Sequence, residues 1–137
     1  MKEKILQTND MQAAEMPSVK EYLTAVQRDG SELCAKDVYK RTVGWLKDIH
    51  CENAVSEQMI EEYSMAVARW IHLELMISKY GYIAKHPTTG APIPSPYVAM
   101  AQGYLKQISA IRAEINQAIK YNRPVSSDLM REVVYGG

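Results

Sequence analysis

The sequence predicts an all-α protein with two short N-terminal helices and a long antiparallel helical hairpin, whose connector makes a small β-like excursion. Three observations lead to this fold class. Residues 56–80 keep apolar side chains at helical spacing for about six turns. Residues 97–121 keep alternating steps of three and four residues over about three heptads, which is typical of a coiled-coil seam. A proline-containing connector of roughly 15 residues joins the two stretches, so they are expected to run antiparallel.

The N-terminal part of the chain divides into a leader and a helical segment. Residues 1–17 lack a steady period and end at a proline, which predicts a flexible leader. Residues 18–55 form the helical segment, a candidate DNA-binding region. Ser18-Val19-Lys20-Glu21 spells a capping box, so a short helix is expected to follow and to stop at Asp29-Gly30. A second helix is predicted from about Leu33 to Ile49. Its apolar side carries Val38, Thr42, Trp45, Leu46 and Ile49.

The hairpin occupies residues 56–121 and has clear end signals. Gly81 follows the first long helix, where a glycine commonly terminates a helix. Residues 82–94 contain prolines and a Thr-Thr-Gly turn, which disfavour helix and favour a short β-hairpin. Ser95-Pro96 places a cap and a first-turn proline at the start of the second long helix. Beyond the hairpin, residues 122–137 form a C-terminal tail in which Ser126-Ser127-Asp128 predicts one last short helix.

The predicted hairpin requires more packing partners than it contains. Each of its helices buries one apolar stripe and leaves apolar flank for another layer. The N-terminal helices supply part of that layer, and copies of the hairpin from neighbouring subunits supply the rest, so the sequence predicts an oligomer. Nine tyrosines and two tryptophans without any phenylalanine fit half-buried helix faces and subunit contacts.

Catalytic and metal sites are not indicated by the sequence. The chain has no glycine-rich phosphate loop, no His-Glu-x-x-His and no Cys-x-x-Cys motif. Its cysteines and histidines lack the repeating spacing of a zinc site. The adjacent pair His50-Cys51 points in directions about 100° apart on a helix, which prevents proton transfer between the two side chains. The sequence therefore predicts a protein that is not an enzyme and needs no cofactor and no metal.

The apolar stretches and the cysteine content indicate where in the cell the protein is expected. The chain of 137 residues suits one domain with flexible ends. No apolar stretch approaches the length that crosses a bilayer, and residues 1–4 do not open a signal run. Two cysteines cannot build a disulfide framework. We therefore expect a cytoplasmic protein without a membrane partner.

The formal net charge of zero is a sum of alternating blocks. Residues 33–50 hold four basic and two acidic side chains, whereas residues 51–80 hold two and five. On the second helix three lysines fall within about 40° of each other, roughly opposite the apolar side, and one arginine flanks them. A basic face that follows helix, turn and helix is typical of DNA-docking units, although a solvated helix surface has the same pattern. The candidate DNA contacts are Lys36, Lys40, Arg41 and Lys47, with Lys20 as a weaker candidate.

Two charged residues fall within the apolar arcs of the long helices. Glu74 lies on the first arc and Arg112 on the second, where a charge is costly unless it is paired. Hairpin geometry places Arg112 about two turns beyond Glu74, so at least one of them is expected to pair across a subunit boundary. The alternative is that each extends to solvent from the edge of its stripe. Trp70 and Tyr104 complete the predicted oligomerisation set.

Five features in fixed order resemble the small subunit of phage terminases, over residues 39–116. They are a tryptophan helix (Tyr39-Lys40-Arg41-Thr42-Val43-Gly44-Trp45-Leu46), the run Tyr63-Ser64-Met65-Ala66-Val67-Ala68-Arg69-Trp70, the helix end Lys79-Tyr80-Gly81 with a turn at Gly90, the helix start Ser95-Pro96, and a long helix from Ala101 to Ile115. The chain departs from the family in two places. Ser95 replaces the usual asparagine, and Tyr121-Asn122-Arg123-Pro124-Val125 replaces a Gly-Leu-Thr-Pro-like turn with arginines.

The resemblance implies a ring-forming helical protein of the bacterial host cytoplasm. Such a protein binds viral double-stranded DNA near the packaging start and presents it to the terminase large subunit, which holds the ATPase and nuclease. Arg123, Arg131 and the terminal helix are then candidates for contact with the large subunit. A second hypothesis is a helical protein-interaction adaptor or regulator that does not bind DNA. A small hydrolase or metalloenzyme is the least supported reading.

Overall fold

A computed structural model of the chain describes residues 20–122, which fold into three α-helices and one small β-hairpin. The elements, after a 3₁₀ turn at Glu21–Thr24, are α1 (Ala35–Asp48), α2 (Glu57–Tyr80), β1 (Ile83–Lys85), β2 (Pro92–Pro94) and α3 (Pro96–Asn122). The predicted all-α fold with a β excursion in the connector is confirmed. The predicted leader and the tail beyond Asn122, including its predicted last helix, lie outside the described residues.

The first predicted helix is a single 3₁₀ turn, so its expected length was wrong. After Thr24 the backbone becomes extended and Val26 forms a β-bridge with Glu32. Two backbone hydrogen bonds hold this bridge, from Gln27 N–H to Ser31 O at 2.7 Å and from Leu33 N–H to Ala25 O at 3.1 Å. These two hydrogen bonds occupy backbone N–H and C=O groups that a longer helix would need for its own hydrogen bonds. Of the predicted capping box, Ser18 and Val19 lie outside the described residues, and Lys20 makes no side-chain cap.

The buried face of α1 differs from the predicted one. Ala35, Tyr39, Val43 and Leu46 are buried, whereas Val38 and Thr42 are half-buried. Trp45, which was expected on the apolar side, is 47% exposed. Two rows of apolar residues run along α1 side by side, one beginning at Ala35 and the other at Val38. Helix α2 packs against the row that begins at Ala35. The buried face of α1 is therefore rotated about the helix axis relative to the predicted apolar side.

The ends of α2 follow their sequence signals. The Ser56 hydroxyl accepts a hydrogen bond from Met59 N–H at 3.2 Å. Gly81 adopts a φ of 85°, and its N–H donates to Ile77 O at 2.7 Å. An N-terminal hydroxyl cap satisfies an otherwise unpaired amide, and a glycine takes positive φ without a steric penalty. Both predicted ends of the longest apolar stretch are confirmed.

The connector between α2 and α3 contains the predicted β-hairpin. β1 and β2 pair antiparallel, with Ile83 opposite Pro94 and Lys85 opposite Pro92. His86 Nδ1 accepts the backbone N–H of Thr88 and of Thr89 at 3.1 and 3.2 Å, which stabilises the turn. Ser95 Oγ then accepts Tyr97 N–H at 3.3 Å at the start of α3. A plain turn between two short strands explains this segment, as expected.

The core lies on both sides of α2. One cluster joins α1, α2 and the C-terminal half of α3, and it includes Ile108, Ile111, Ile115 and Ile119 from the predicted seam. A smaller cluster of Leu73, Ile77 and Ala101 lies nearer the connector. Trp70 and Tyr104 pack against both clusters. The helix α2 is thus the central element of the fold.

Candidate nucleic-acid interface

Three lysines follow one flank of α1, and we name Lys36, Lys40 and Lys47 the lysine flank. Lys36 and Lys40 are exposed and Lys47 is half-buried. At 100° per residue the three side chains lie about 90° from the centre of the buried face, rather than opposite it as the sequence suggested. The structure keeps the lysines together on one side of α1, next to the core face.

Arg41 lies on a different side of α1 from the lysine flank. Its direction is about 100° from that of Lys40, since neighbours on a helix are separated by that angle. Arg41 is exposed and lines a groove formed by all three helices. The structure therefore divides the four predicted α1 contacts into a lysine flank and one arginine at the groove.

This concavity, the three-helix groove, has a volume of about 530 Å³. Its floor comes from α2, and its walls come from α1 and α3. The lining residues are Val38, Arg41, Thr42, Trp45, Tyr63, Val67, Ile71, Arg112, Ile115 and Asn116. The Arg112 guanidinium lies 6.0 Å from the centre of the Tyr63 ring and donates to its hydroxyl at 3.4 Å. The groove thus combines apolar walls with two guanidinium groups.

A second concavity, the acidic depression, lies on the opposite side of α2. It is lined by Lys20, Tyr22, Glu57, Gln58, Glu61 and Glu62. The Tyr22 hydroxyl donates to Glu61 Oε2 at 2.6 Å. Loss of water around the phenol, followed by the hydrogen bond to Glu61, raises the pKa of Tyr22 to about 12. Lys20 therefore lies beside the three carboxylates that line the acidic depression.

Glu61 on α2 and Tyr39 on α1 are both buried polar residues. Glu61 is 7% exposed and Tyr39 is 1% exposed. Among the described residues, neither Glu61 Oε1 nor the Tyr39 hydroxyl has a hydrogen-bond partner. Burial, and then the nearby Glu57 and Glu61 carboxylates, raise the pKa of Tyr39 to about 12. Sequence reasoning missed Glu61, although its spacing to Ser64 and Ala68 places it on a buried arc of α2.

Comparison with known protein families identifies the family of this chain. The family model described as phage terminase, small subunit, matches residues 35–117, from the first residue of α1 into the last turns of α3. The match covers more than half of the chain. The chain belongs to the phage terminase small subunit family. The resemblance over residues 39–116 is thereby confirmed, and the match includes the lysine flank and the three-helix groove but not Lys20. No curated protein and no solved structure matches the chain significantly.

In this terminase small subunit the predicted oligomerisation residues occupy different environments. Glu74 is exposed, and by helical spacing it lies on the same side of α2 as the groove floor. Arg112 already contacts Tyr63 within the chain. Trp70 and Tyr104 are half-buried between the two core clusters. Of the four, Glu74 and Arg112 are exposed in the single chain.

The terminase small subunit shows no arrangement for metal chemistry in residues 20–122, where no group of three or more His, Cys, Asp or Glu side chains could hold an ion. Cys34 and Cys51 are both free thiols. His50 adopts a φ of 58° just after α1, and the Cys51 thiol donates to Ile49 O at 3.4 Å. Across the same residues, each helix is too short or too polar to cross a membrane.

Proposed function

We propose that this terminase small subunit binds viral double-stranded DNA through the lysine flank and presents it to the terminase large subunit. The observation that carries the proposal is that three lysines share one side of α1. Ammonium groups that replace the counterions of DNA phosphates supply affinity without sequence information. We infer a protein without catalytic activity of its own that acts in the cytoplasm of the bacterial host.

The charge distribution supports DNA contact through α1 rather than through α2. The lysine flank and Arg41 belong to residues 33–50, which carry a net charge of +2, while residues 51–80 carry −3. The carboxylates of the acidic depression, which belong to α2, repel phosphates. Lys20 lies beside that depression, so we expect it to contribute less than the α1 lysines. DNA is thereby directed toward α1.

We further propose that the subunits assemble as a homo-oligomeric ring. Support comes from the connector end of the hairpin, where Leu75, Tyr80, Tyr82, Ile83 and Met100 are exposed. Large exposed apolar side chains are common in contacts between proteins. Three lysines bind DNA weakly in one subunit, but a ring repeats them and the contacts add as effective concentration rises. The net charge of zero on the single chain fits this arrangement, because assembly rather than a strongly basic subunit supplies the affinity.

Neutralising the lysine flank tests the DNA contact. The variant Lys36→Gln/Lys40→Gln/Lys47→Gln is expected to weaken binding to duplex DNA by at least about tenfold at moderate salt, equally for unrelated sequences, because phosphate contacts carry no base information. The slope of log affinity against log salt concentration is expected to become shallower. Fluorescence anisotropy with labelled duplexes, measured across a salt series, gives both quantities.

A matched variant controls for net charge. Lys79→Gln/Lys85→Gln/Lys106→Gln removes the same charge from exposed lysines of α2, β1 and α3. It is expected to leave DNA affinity within about twofold, because these lysines lie away from the lysine flank. Equal weakening by both variants would mean that total charge matters and not α1. If the wild-type protein binds no DNA even at low salt, the adaptor hypothesis is favoured instead.

Charge reversal at Glu74 tests the ring contact. We expect Glu74→Arg to lower the oligomeric mass, because a like charge placed against a basic neighbour in the next subunit is repelled. Size-exclusion chromatography with light scattering measures this mass. Glu114→Arg, a change at an exposed glutamate of α3, is the control and is expected to keep the wild-type mass. An unchanged oligomer in both variants would exclude Glu74 from the subunit contact.

A further inference from the structure

The three-helix groove is an apolar concavity that is open to solvent in the described part of the chain. Four aliphatic side chains line it, namely Val38, Val67, Ile71 and Ile115. Trp45 on its wall is 47% exposed, which is unusual for the largest apolar side chain. Apolar surface of this kind is stabilised when another segment covers it.

We propose that this groove is the docking site of the chain's own C-terminal segment, residues 128–135, folded back onto the same subunit. The segment lies outside the described residues. The proposal rests on where α3 ends and on the chemistry of the segment, and it is independent of DNA binding.

The end of α3 brings the segment to the groove. Ile115 and Asn116 form part of the groove wall, and α3 continues from there to Asn122, a rise of about 9 Å. Pro124 then disfavours continuation of the helix. The five residues 123–127 can span at most about 17 Å, which is enough to reverse direction and return over that last part of α3. A segment that follows this linker is therefore within reach of the groove.

The chemistry of the segment complements the groove. Its apolar residues are Leu129, Met130, Val133, Val134 and Tyr135. Asp128 and Glu132 are spaced so that a helix presents them on the same side, whereas Arg131 is its one basic residue. The groove offers apolar walls and the guanidinium groups of Arg41 and Arg112. Carboxylates at a guanidinium-bearing rim and apolar side chains on an apolar floor are favourable pairings.

The N-terminal leader is a poorer occupant because it enters from the wrong side. Lys20, the first described residue, lines the acidic depression. On α2 the side chains of that depression point nearly opposite to Tyr63, Val67 and Ile71, which form the groove floor. The leader would have to cross over the helices to reach the groove. The C-terminal segment follows α3, which itself forms part of the groove wall.

Disulfide trapping in the full-length chain tests the proposal. The background carries Cys34→Ser and Cys51→Ala, which remove both native thiols. Thr42→Cys then places a thiol in the groove, and Val133→Cys places one in the segment. Under mild oxidation we expect a bond within one chain, at least about fivefold faster than in the control, because docking raises the effective concentration of the two thiols. Mass spectrometry and non-reducing electrophoresis report the product.

The control moves the first thiol out of the groove. Gly44→Cys replaces Thr42→Cys on a side of α1 about 160° away, where a new Cβ meets nothing within 4 Å. Equal trapping from both positions, or disulfide-linked dimers in place of the bond within one chain, would overturn the proposal. The charge reversal Asp128→Lys/Glu132→Lys is expected to slow trapping at position 42, and Arg41→Glu/Arg112→Glu is expected to restore it. Circular dichroism confirms that each variant is folded before trapping.

Discussion

Replacing Leu46 with alanine is expected to lower the free energy of unfolding by about 3 kcal/mol. Leu46 is 0% exposed and lies on the face of α1 that packs against α2. Its removal takes buried apolar atoms from the core and leaves a cavity that neighbouring helices cannot close completely. Urea denaturation followed by circular dichroism measures the change. The loss is large compared with the total stability of a small domain.

An exposed leucine provides the matched control for Leu46. Leu105 on α3 is 43% exposed, so Leu105→Ala is expected to cost less than about 1 kcal/mol. Both variants are compared with wild type at one protein concentration, because assembly contributes to apparent stability. Similar losses in the two variants would contradict the burial of α1 against α2.

Raising the pH through the range 10 to 12 is expected to remove about 2–3 kcal/mol of stability at Tyr39. Burial and two nearby carboxylates raise the pKa of Tyr39 from 10.0 to about 12 in the folded protein. The unfolded chain therefore releases the phenolic proton at lower pH than the folded chain does. The contribution of Tyr39 is complete below pH 10 and is lost as the pH rises through the folded pKa. The pKa of Tyr22 is also raised, but its partial exposure makes its contribution smaller.

Tyr39→Phe isolates this contribution. At neutral pH the variant is expected to unfold with nearly wild-type free energy, because the Tyr39 hydroxyl has no hydrogen-bond partner among the described residues. At pH 11 it is expected to be more stable than wild type. Tyr82→Phe, at a side chain that is 73% exposed, is the control and should follow the wild-type curve. If the urea midpoints of wild type and Tyr39→Phe fall in parallel between pH 8 and 11.5, Tyr39 is not the group responsible.

The hairpin could be predicted from sequence because its signals are local. The Ser56 cap, the Gly81 helix end and the Ser95 cap each depend on a few neighbouring residues, and each is present in the structure. The face of α1 could not be predicted in the same way. The row from Ala35 to Leu46 and the row from Val38 to Trp45 have similar spacing, and the position of α2 decides which one is buried.

In the candidate site, too, the features that depend on local sequence could be predicted and those that depend on distant residues could not. The angles between Lys36, Lys40 and Lys47 depend on helix geometry alone, so their grouping could be predicted. The groove could not, because it brings together residues such as Tyr63 and Arg112 from different helices. The hydrogen bond between Tyr22 and Glu61 joins residues 39 positions apart, and no local sequence pattern predicts it.

The position of α2 has a consequence for how load travels through the subunit. α1 and the 3₁₀ turn pack against α2 from one direction, and α3 packs against it from another. A force applied to α1 therefore enters the hairpin chiefly through α2. The stiffness of α2 along its 24 residues then sets how far a displacement at α1 is passed on to α3. Helix α2 is thus the mechanical support against which the 3₁₀ turn and the other two helices are held.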